Sequence, residues 1–344
     1  MCKFTPIILE VHEVIRDLMT TLSRLSKEKV FLGVSLQEFE DSWPVEVEGP
    51  LEKCDPLPSF SYLDTSSRYM TVRGANIYLA SLYANIEGEH MTVPLNASLP
   101  FLAIKGSRDV VEMIETSPLS KVVRTRNVND IPYDPGYKDD NILDELRIYL
   151  ENRAIERARI AVVDGPVFPG PYLPMVGEPY RSAYERLIQG RRKDQLVGVV
   201  KRLSTSRKLS RVKDLWKGDV TPTDDVLTLE LGKGKITYVT PVLREEFQLS
   251  NSSLQRYMVY VKVRDSVFRV ESPSKDLLCQ GVATSLVHAS YRGLPTFIEV
   301  ADRLSRKLSA STFILSFIYA KGQVEVTYDD WNRFQQANLD LEMG

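Results

Sequence analysis

Residues 158–166, ARIAVVDGP, decide how the rest of the chain is read. The aliphatic run Ile160 to Val163 is compact and apolar on both sides, the pattern of a strand buried on both faces of a sheet. Asp164 ends the run and Gly165-Pro166 turns the chain away. The carboxylate therefore falls at the C-terminal end of a strand, where open α/β sheets form their ligand crevices. Glycine at 165 also permits close backbone approach. An inert aspartate in a tight turn is the structural alternative.

Outward from this strand the periods alternate. Upstream, Ile142, Leu146, Tyr149, Leu150 and Ile155 mark one side of a helix over 141–159. Downstream come a proline-bearing loop (167–177), a helix (178–190), the strand LVGVVK (196–201) and a helix around 208–216. This order predicts an α/β sheet covered on both faces. Earlier, SFSYLD (59–64), RYMTVRG (68–74) and NIYLASLYANIEG (76–88) read as consecutive antiparallel strands, with PFLAIKG (100–106) a fourth. Later, VLTLELG, KITYVTPVL, RYMVYVKVR and SVFRVESP read as strands of an antiparallel elaboration, followed by a helix over 274–290. TFIEVADRLSRKLS combines a strand-like entry with a helical continuation, and FILSFIYAKG fits helix or strand equally. Apolar steps from Ile7 to Leu25 predict an amphipathic N-terminal helix, and 47–59 reads as a linker.

The composition is that of a globular chain, 43% hydrophobic and 26% charged, which excludes a disordered polyelectrolyte. No apolar run is long enough to cross a membrane, and no signal peptide is legible, so the expected location is cytoplasmic. Three scattered cysteines are expected to be reduced thiols. The net charge of -2 hides an asymmetry. Residues 191–217 hold ten Lys/Arg against Asp194 and Asp214, a candidate phosphate-binding patch on an otherwise acidic chain.

Two acidic strand ends suggest metal chemistry. Asp64 closes SFSYLD, with the hydroxyls of Thr65, Ser66 and Ser67 beside it. Its alternative is an Asx-turn. Glu145 and Glu151, on the helix feeding the Asp164 strand, are candidate third carboxylates; Glu299 and Asp302 are others. His288 is a further candidate for completing the site, although a structural role suits it better. Oxygen-only clusters favour Mg²⁺ or Mn²⁺, and Lys201 ends its strand where an ammonium can face a phosphate. Dinucleotide-binding GxGxxG, phosphate-loop GxxxxGK[ST] and nucleophile-elbow GxSxG motifs are missing from the sequence.

Taken in order, YLDTSS, the helix with Glu151, VVDGP, GVVKR, MVYVKVR, VFRVESP and LPTFIEVADRL resemble the NurA nuclease family, found mainly in archaea and some bacteria. The resemblance covers roughly 58–320. It implies an RNase H-like mixed central β-sheet flanked by helices, with an added N-terminal helix and an antiparallel elaboration. The implied division is an N-terminal helical extension (1–45), a nuclease domain (58–320) and a C-terminal tail (321–344) packing on it. It further implies a Mn²⁺-dependent DNA nuclease, with Mg²⁺ as an alternative ion. Asp64, Glu151, Asp164 and Asp302 would be its metal ligands, with Lys201 near phosphate. Members degrade DNA from 5' ends, cut single strands, form homodimers and work in end resection with the hexameric ATPase HerA. Thr65 departs from the glycine usual after the first aspartate, and Arg306 stands where a smaller or histidine-like residue is usual. A catalytically inactive family member that binds DNA ends or the ATPase is the competing reading, and an enzyme acting on RNA or hybrids a third.

Overall fold

The computed structural model describes residues 43–72, 74–96, 99–169, 177–218, 221–250, 252–323 and 326–342. The N-terminal helix expected at 7–25 lies outside them. In chain order the first elements are β1 (Val45–Gly49), β2 (Ser61–Val72), β3 (Ala75–Ile86), β4 (Glu89–Val93) and β5 (Leu102–Gly106). Then come α1 (Arg108–Glu115), β6 (Val123–Arg124), α2 (Asp139–Ile155), β7 (Ala161–Asp164), α3 (Tyr180–Gln189) and β8 (Leu196–Val200). The rest is α4 (Asp224–Leu231), β9 (Thr237–Val239), β10 (Val242–Gln248), β11 (Ser253–Val263) and β12 (Ser266–Ser272). Three helices close the chain: α5 (Lys275–Val287), α6 (Thr296–Gln323) and α7 (Tyr328–Glu342).

All described strands join one mixed sheet, ordered β1-β10-β11-β12-β8-β7-β2-β3-β5-β6, with β4 beside β3 and β9 beside β11. Its centre is the RNase H-like arrangement. β2 and β3 are antiparallel, and β3 continues onto β4 and β5 along its far edge. β7 lies parallel to β2 on the other side, and β8 parallel to β7. The antiparallel elaboration, β12 to β1, extends the sheet beyond β8.

Strand alternation sorts the two faces. Leu63 packs with Ile142 and Leu146 of α2, whereas Met70 packs with Ala310 and Phe313 of α6. Helix α6 buries Phe297, Ile298, Ala301, Ser305, Ser309, Ala310, Phe313 and Phe317 at three- and four-residue steps mixed with adjacent pairs. That stripe absorbs both segments read as strand-like or ambiguous, so FIEV and FILSFIY are helical. α7 folds back onto α6, with Phe334 stacked on Phe317 at 4.6 Å and Trp331 edge-on at 5.0 Å.

Four other readings change. Residues 59–64 and 68–74 do not form two strands, because β2 runs unbroken through Asp64 to Val72. VLTLELG is helical, because Asp224 and Asp225 suit a helix N-terminus and buried Asp224 accepts from the Leu209 amide at 2.8 Å. Only Leu209–Arg211 of the helix expected at 208–216 is helical, as a 3₁₀ turn. The linker read at 47–59 begins inside β1, which pairs with β10 while Trp43 packs edge-on against Phe247 at 5.9 Å.

Two further expectations are corrected. Cys54 and Cys279 form a disulfide with Cα atoms 5.8 Å apart, joining the approach to β2 with α5. The basic stretch is not a single surface patch. Arg191 and Lys208 are buried, paired respectively with Glu151 and Glu245, while Arg192 and Arg207 donate to the carbonyls of Ala158 and Thr221. Burial of these charges is sustained by partners, not solvent. Beneath the elaboration, Arg256 bridges Glu245 and Glu271 at 2.6 and 2.9 Å, all three fully buried.

Candidate active site

The register of two parallel strands brings the central carboxylates together. Tyr62 lies opposite Val162 and Leu63 opposite Val163, so the next residues, Asp64 and Asp164, are neighbours on the same face. β7 stops at Asp164 while β2 continues, which opens a cleft beside Asp64. The chain leaves Asp164 through Gly165, whose φ of +141° is glycine territory. It then crosses Gly198 of β8 so closely that a Cβ there would come within 2.6 Å of the Gly165 carbonyl oxygen. The Val167 amide then donates to Glu271 Oε1 at 2.6 Å, tying this turn to the buried Arg256 network.

Asp302 arrives from the second turn of α6. One carboxylate oxygen each of Asp64, Asp164 and Asp302 lies within 4.8 Å of the others. Among the described residues, this is the group of carboxylates, histidines and cysteines arranged to hold a metal ion. Lys201, just past β8, bridges two of them: its Nζ is 2.6 Å from Asp164 Oδ2 and 3.0 Å from Asp302 Oδ1. Arg306, one turn along α6, donates to Asp302 at 2.7 Å. Ser305 donates its hydroxyl to Asp64 Oδ2. The three aspartates, Lys201 and Arg306 face a cavity of about 430 Å³ also lined by Thr65, Arg147 and Arg202, with Ser305 buried behind Asp64.

Burial, and next the negative charge of Asp164, push the Asp64 carboxyl up to about 8. Burial also raises Asp164, to about 6, against the opposing pull of Lys201. Packed acids whose neutral forms are favoured this strongly suit a divalent cation, which restores the charged forms. The all-oxygen donor set fits Mg²⁺ or Mn²⁺.

The other candidates lie elsewhere. Glu151 approaches from the opposite face of the sheet, because Thr65 points away from Asp64. Its Oε1 accepts from Thr65 Oγ1 at 2.7 Å and its Oε2 from Arg191 at 3.0 Å. Glu145 is fully buried one turn and a half earlier on α2, where the hydroxyls of Tyr133 and Tyr137 donate to it. Glu299 is outside the convergent trio. His288 packs its ring against Phe60 and Phe297, with centroids 6.0 and 5.8 Å away. Ser305 had no sequence signal, being 241 residues from the carboxylate it contacts. Gly198 was visible within GVVKR but not as the floor beneath the Asp164 turn.

The fold and trio thus define an RNase H-like α/β protein with an acidic centre where β7 ends beside the middle of β2. The NurA domain family matches residues 63–306, well over half of the chain, and the chain belongs to that family. Among solved structures, the NurA nuclease from Sulfolobus solfataricus is similar at 12% identity and a TM-score of 0.42, covering 93% of this chain and 97% of that one. A NurA bound to dAMP and manganese is 11% identical with a TM-score of 0.38, over 88% and 93% of the two chains. Endonuclease V from Streptomyces avermitilis is 11% identical with a TM-score of 0.30, over 81% and 95%. No curated protein sequence matches the chain.

Proposed function

We propose that this chain is a divalent-metal-dependent DNA nuclease, with Asp64, Asp164 and Asp302 holding the metal. The observation that carries the reading is the trio itself: three carboxylates from three separate elements, one oxygen of each within 4.8 Å of the others. When bound there, Mn²⁺ or Mg²⁺ activates water and stabilises the leaving oxygen of a phosphodiester. Asp64 and Asp164 would hold the ion together with Asp302, and Ser305 holds the Asp64 carboxylate in orientation. Lys201 supplies a positive charge beside the place of the scissile phosphate, balancing charge that develops there. Arg147, Arg202 and Arg306 line the same cleft and draw a polyanion toward it.

Glu151 is assigned to the layer behind the cleft, where it orients Thr65 instead of entering the trio. Family membership extends the proposal. The chain acts as a 5'–3' exonuclease and single-strand endonuclease, with Mn²⁺ preferred. It works as a cytoplasmic homodimer in DNA end resection with a HerA-type hexameric ATPase. No helix among the described residues is long and apolar enough to cross a membrane.

One observation favours a second reading, a DNA-binding member without catalysis: Asp302 is already paired with both Lys201 and Arg306. The test uses 5'- and 3'-labelled single- and double-stranded DNA with Mn²⁺, Mg²⁺ or EDTA, comparing the native chain with Asp64→Ala and Asp164→Ala. The nuclease reading expects metal-dependent cutting that both substitutions abolish in folded protein. Cutting that survives both defeats the assigned site. Tight DNA binding with no cutting by the native chain establishes the second reading. An RNA and hybrid panel in the same assay decides the substrate class.

A further inference from the structure

We propose that a groove on the far side of α2 is a second anion site, which binds phosphate groups of the nucleic-acid strand extending from the cleft. This rests on the nuclease reading for the identity of the strand, but on separate residues for the site. At 3.6 residues per turn, Arg147 and Glu151 share the side of α2 near the cleft, while Tyr149, Arg153 and Glu156 fall on the other. There, a groove of about 280 Å³ is lined by Arg124 of β6, Arg153 of α2 and Arg186 of α3.

Three elements thus bring three guanidinium groups to one depression whose lining includes one carboxylate, Glu156. Glu156 pairs with Arg153 and Glu145 lies near Arg124 from the core side, which leaves net positive charge at the groove for an anion to take up. The array is also braced. Arg124 and Arg153 lie over the Tyr149 ring, 4.8 and 5.2 Å from its centroid. Arg153 pairs with Glu156 at 2.9 Å, and Arg186 donates to Asn129 Oδ1 at 3.2 Å. Arg124 spans from this groove toward the core, where its charge draws down the buried Glu145 carboxyl. A phosphate supplies acceptor oxygens and matches the planar fork of arginine.

The groove is also connected to the catalytic cleft. Asn152, in its wall, accepts from Arg191 at 3.4 Å, and the same Arg191 Nη1 holds Glu151, which holds Thr65. Arg147 on the cleft side of α2 and Arg153 on the groove side belong to one helix, whose diameter is about 10–12 Å. A strand leaving the trio and wrapping α2 reaches both.

The test is fluorescence anisotropy in EDTA, where binding is read without cleavage, using a labelled dinucleotide and a single-stranded oligonucleotide long enough to wrap the helix. Arg153 and Arg186 are exposed, so Arg153→Gln/Arg186→Gln leaves the core intact. The variant is expected to bind the oligonucleotide roughly tenfold more weakly, with its salt slope lowered by about 2. Dinucleotide binding and the melting temperature are expected to stay unchanged. An unchanged oligonucleotide affinity and slope overturns the proposal, as does an equal loss for the dinucleotide. Because no cutting is measured, a failed nuclease assay leaves this result independent.

Discussion

Asp64 and Asp164 stand side by side because β2 and β7 run parallel and in register, with Leu63 opposite Val163. Burial raises both, Asp64 to about 8 and Asp164 to about 6, so the metal-free site holds protons near neutrality. An incoming cation must displace them. Mn²⁺ affinity should therefore rise with pH through that window, with proton release on binding. Calorimetry in two buffers of different ionisation enthalpy measures both. Affinity that is flat between about 6 and about 8 contradicts the assignment.

Lys201 holds a position between Asp164 and Asp302 that a divalent ion would contest, 2.6 and 3.0 Å from their oxygens. Removing its charge while keeping its stem separates two roles. Lys201→Met should tighten Mn²⁺ binding, because the ammonium no longer competes, and yet lower kcat, because the charge beside the phosphate is lost. Weaker metal binding in this variant would show that Lys201 supports the site in the resting protein.

Glu151 and Arg191 form a pair whose arginine side chain is fully buried. Arg191→Met leaves the carboxylate without that partner and should destabilise the fold by about 3 kcal/mol. The double variant with Glu151→Gln should recover much of the loss, as urea titration will show. On metal affinity, Glu151→Gln should cost roughly tenfold, the scale of an indirect contact, whereas Asp164→Asn should remove detectable binding. Equal losses for the two would return Glu151 to the ligand set.

What was legible follows from the range of each interaction. The β7 strand and Asp164 stood out because a short aliphatic run with a terminal carboxylate is local information. Asp64 stood out in the same way, although β2 continues past it, since Asp-Thr-Ser-Ser reads as a strand end until long-range pairing is known. The side of α2 that meets the site was not legible. A helix pattern does not say which face of the sheet it covers, so the contacts of Glu151 with Thr65 and Arg191 were not visible in the sequence. VLTLELG misled through the two-residue spacing of Leu227, Leu229 and Leu231. Its helix is fixed by contacts of Asp224 with Ser206, Leu209 and Tyr260, far apart in sequence.

Glu145 offers a pH readout outside the trio. Burial raises its carboxyl from 4.5 to about 7, against the donated bonds of Tyr137 and Tyr133. The folded chain holds a proton that the unfolded chain releases at lower pH. Its contribution to stability is therefore complete below 4.5 and lost as pH rises to about 7. The loss amounts to at most about 3 kcal/mol. Glu145→Gln keeps an acceptor oxygen for one tyrosine, presents its amide N–H to the hydroxyl oxygen of the other, and should remove this component. The stability difference between native and variant chains, from denaturant titrations across that window, should shift in favour of the variant as pH rises. A constant difference refutes the shift.

The Cys54–Cys279 bond ties residues 225 positions apart, fastening the segment before β2 to α5 on the sheet's flank. A cross-link closing so long a loop restricts the unfolded chain strongly, and its removal typically costs about 2–5 kcal/mol. Cys54→Ser should lower the melting temperature, and reductant should lower that of the native chain by a similar amount while leaving the variant unchanged. Alkylation of the folded, unreduced protein followed by peptide mass mapping checks the bond directly. Cys54 and Cys279 should resist modification until reductant is added. Ready modification of both beforehand would restore the expectation of free thiols.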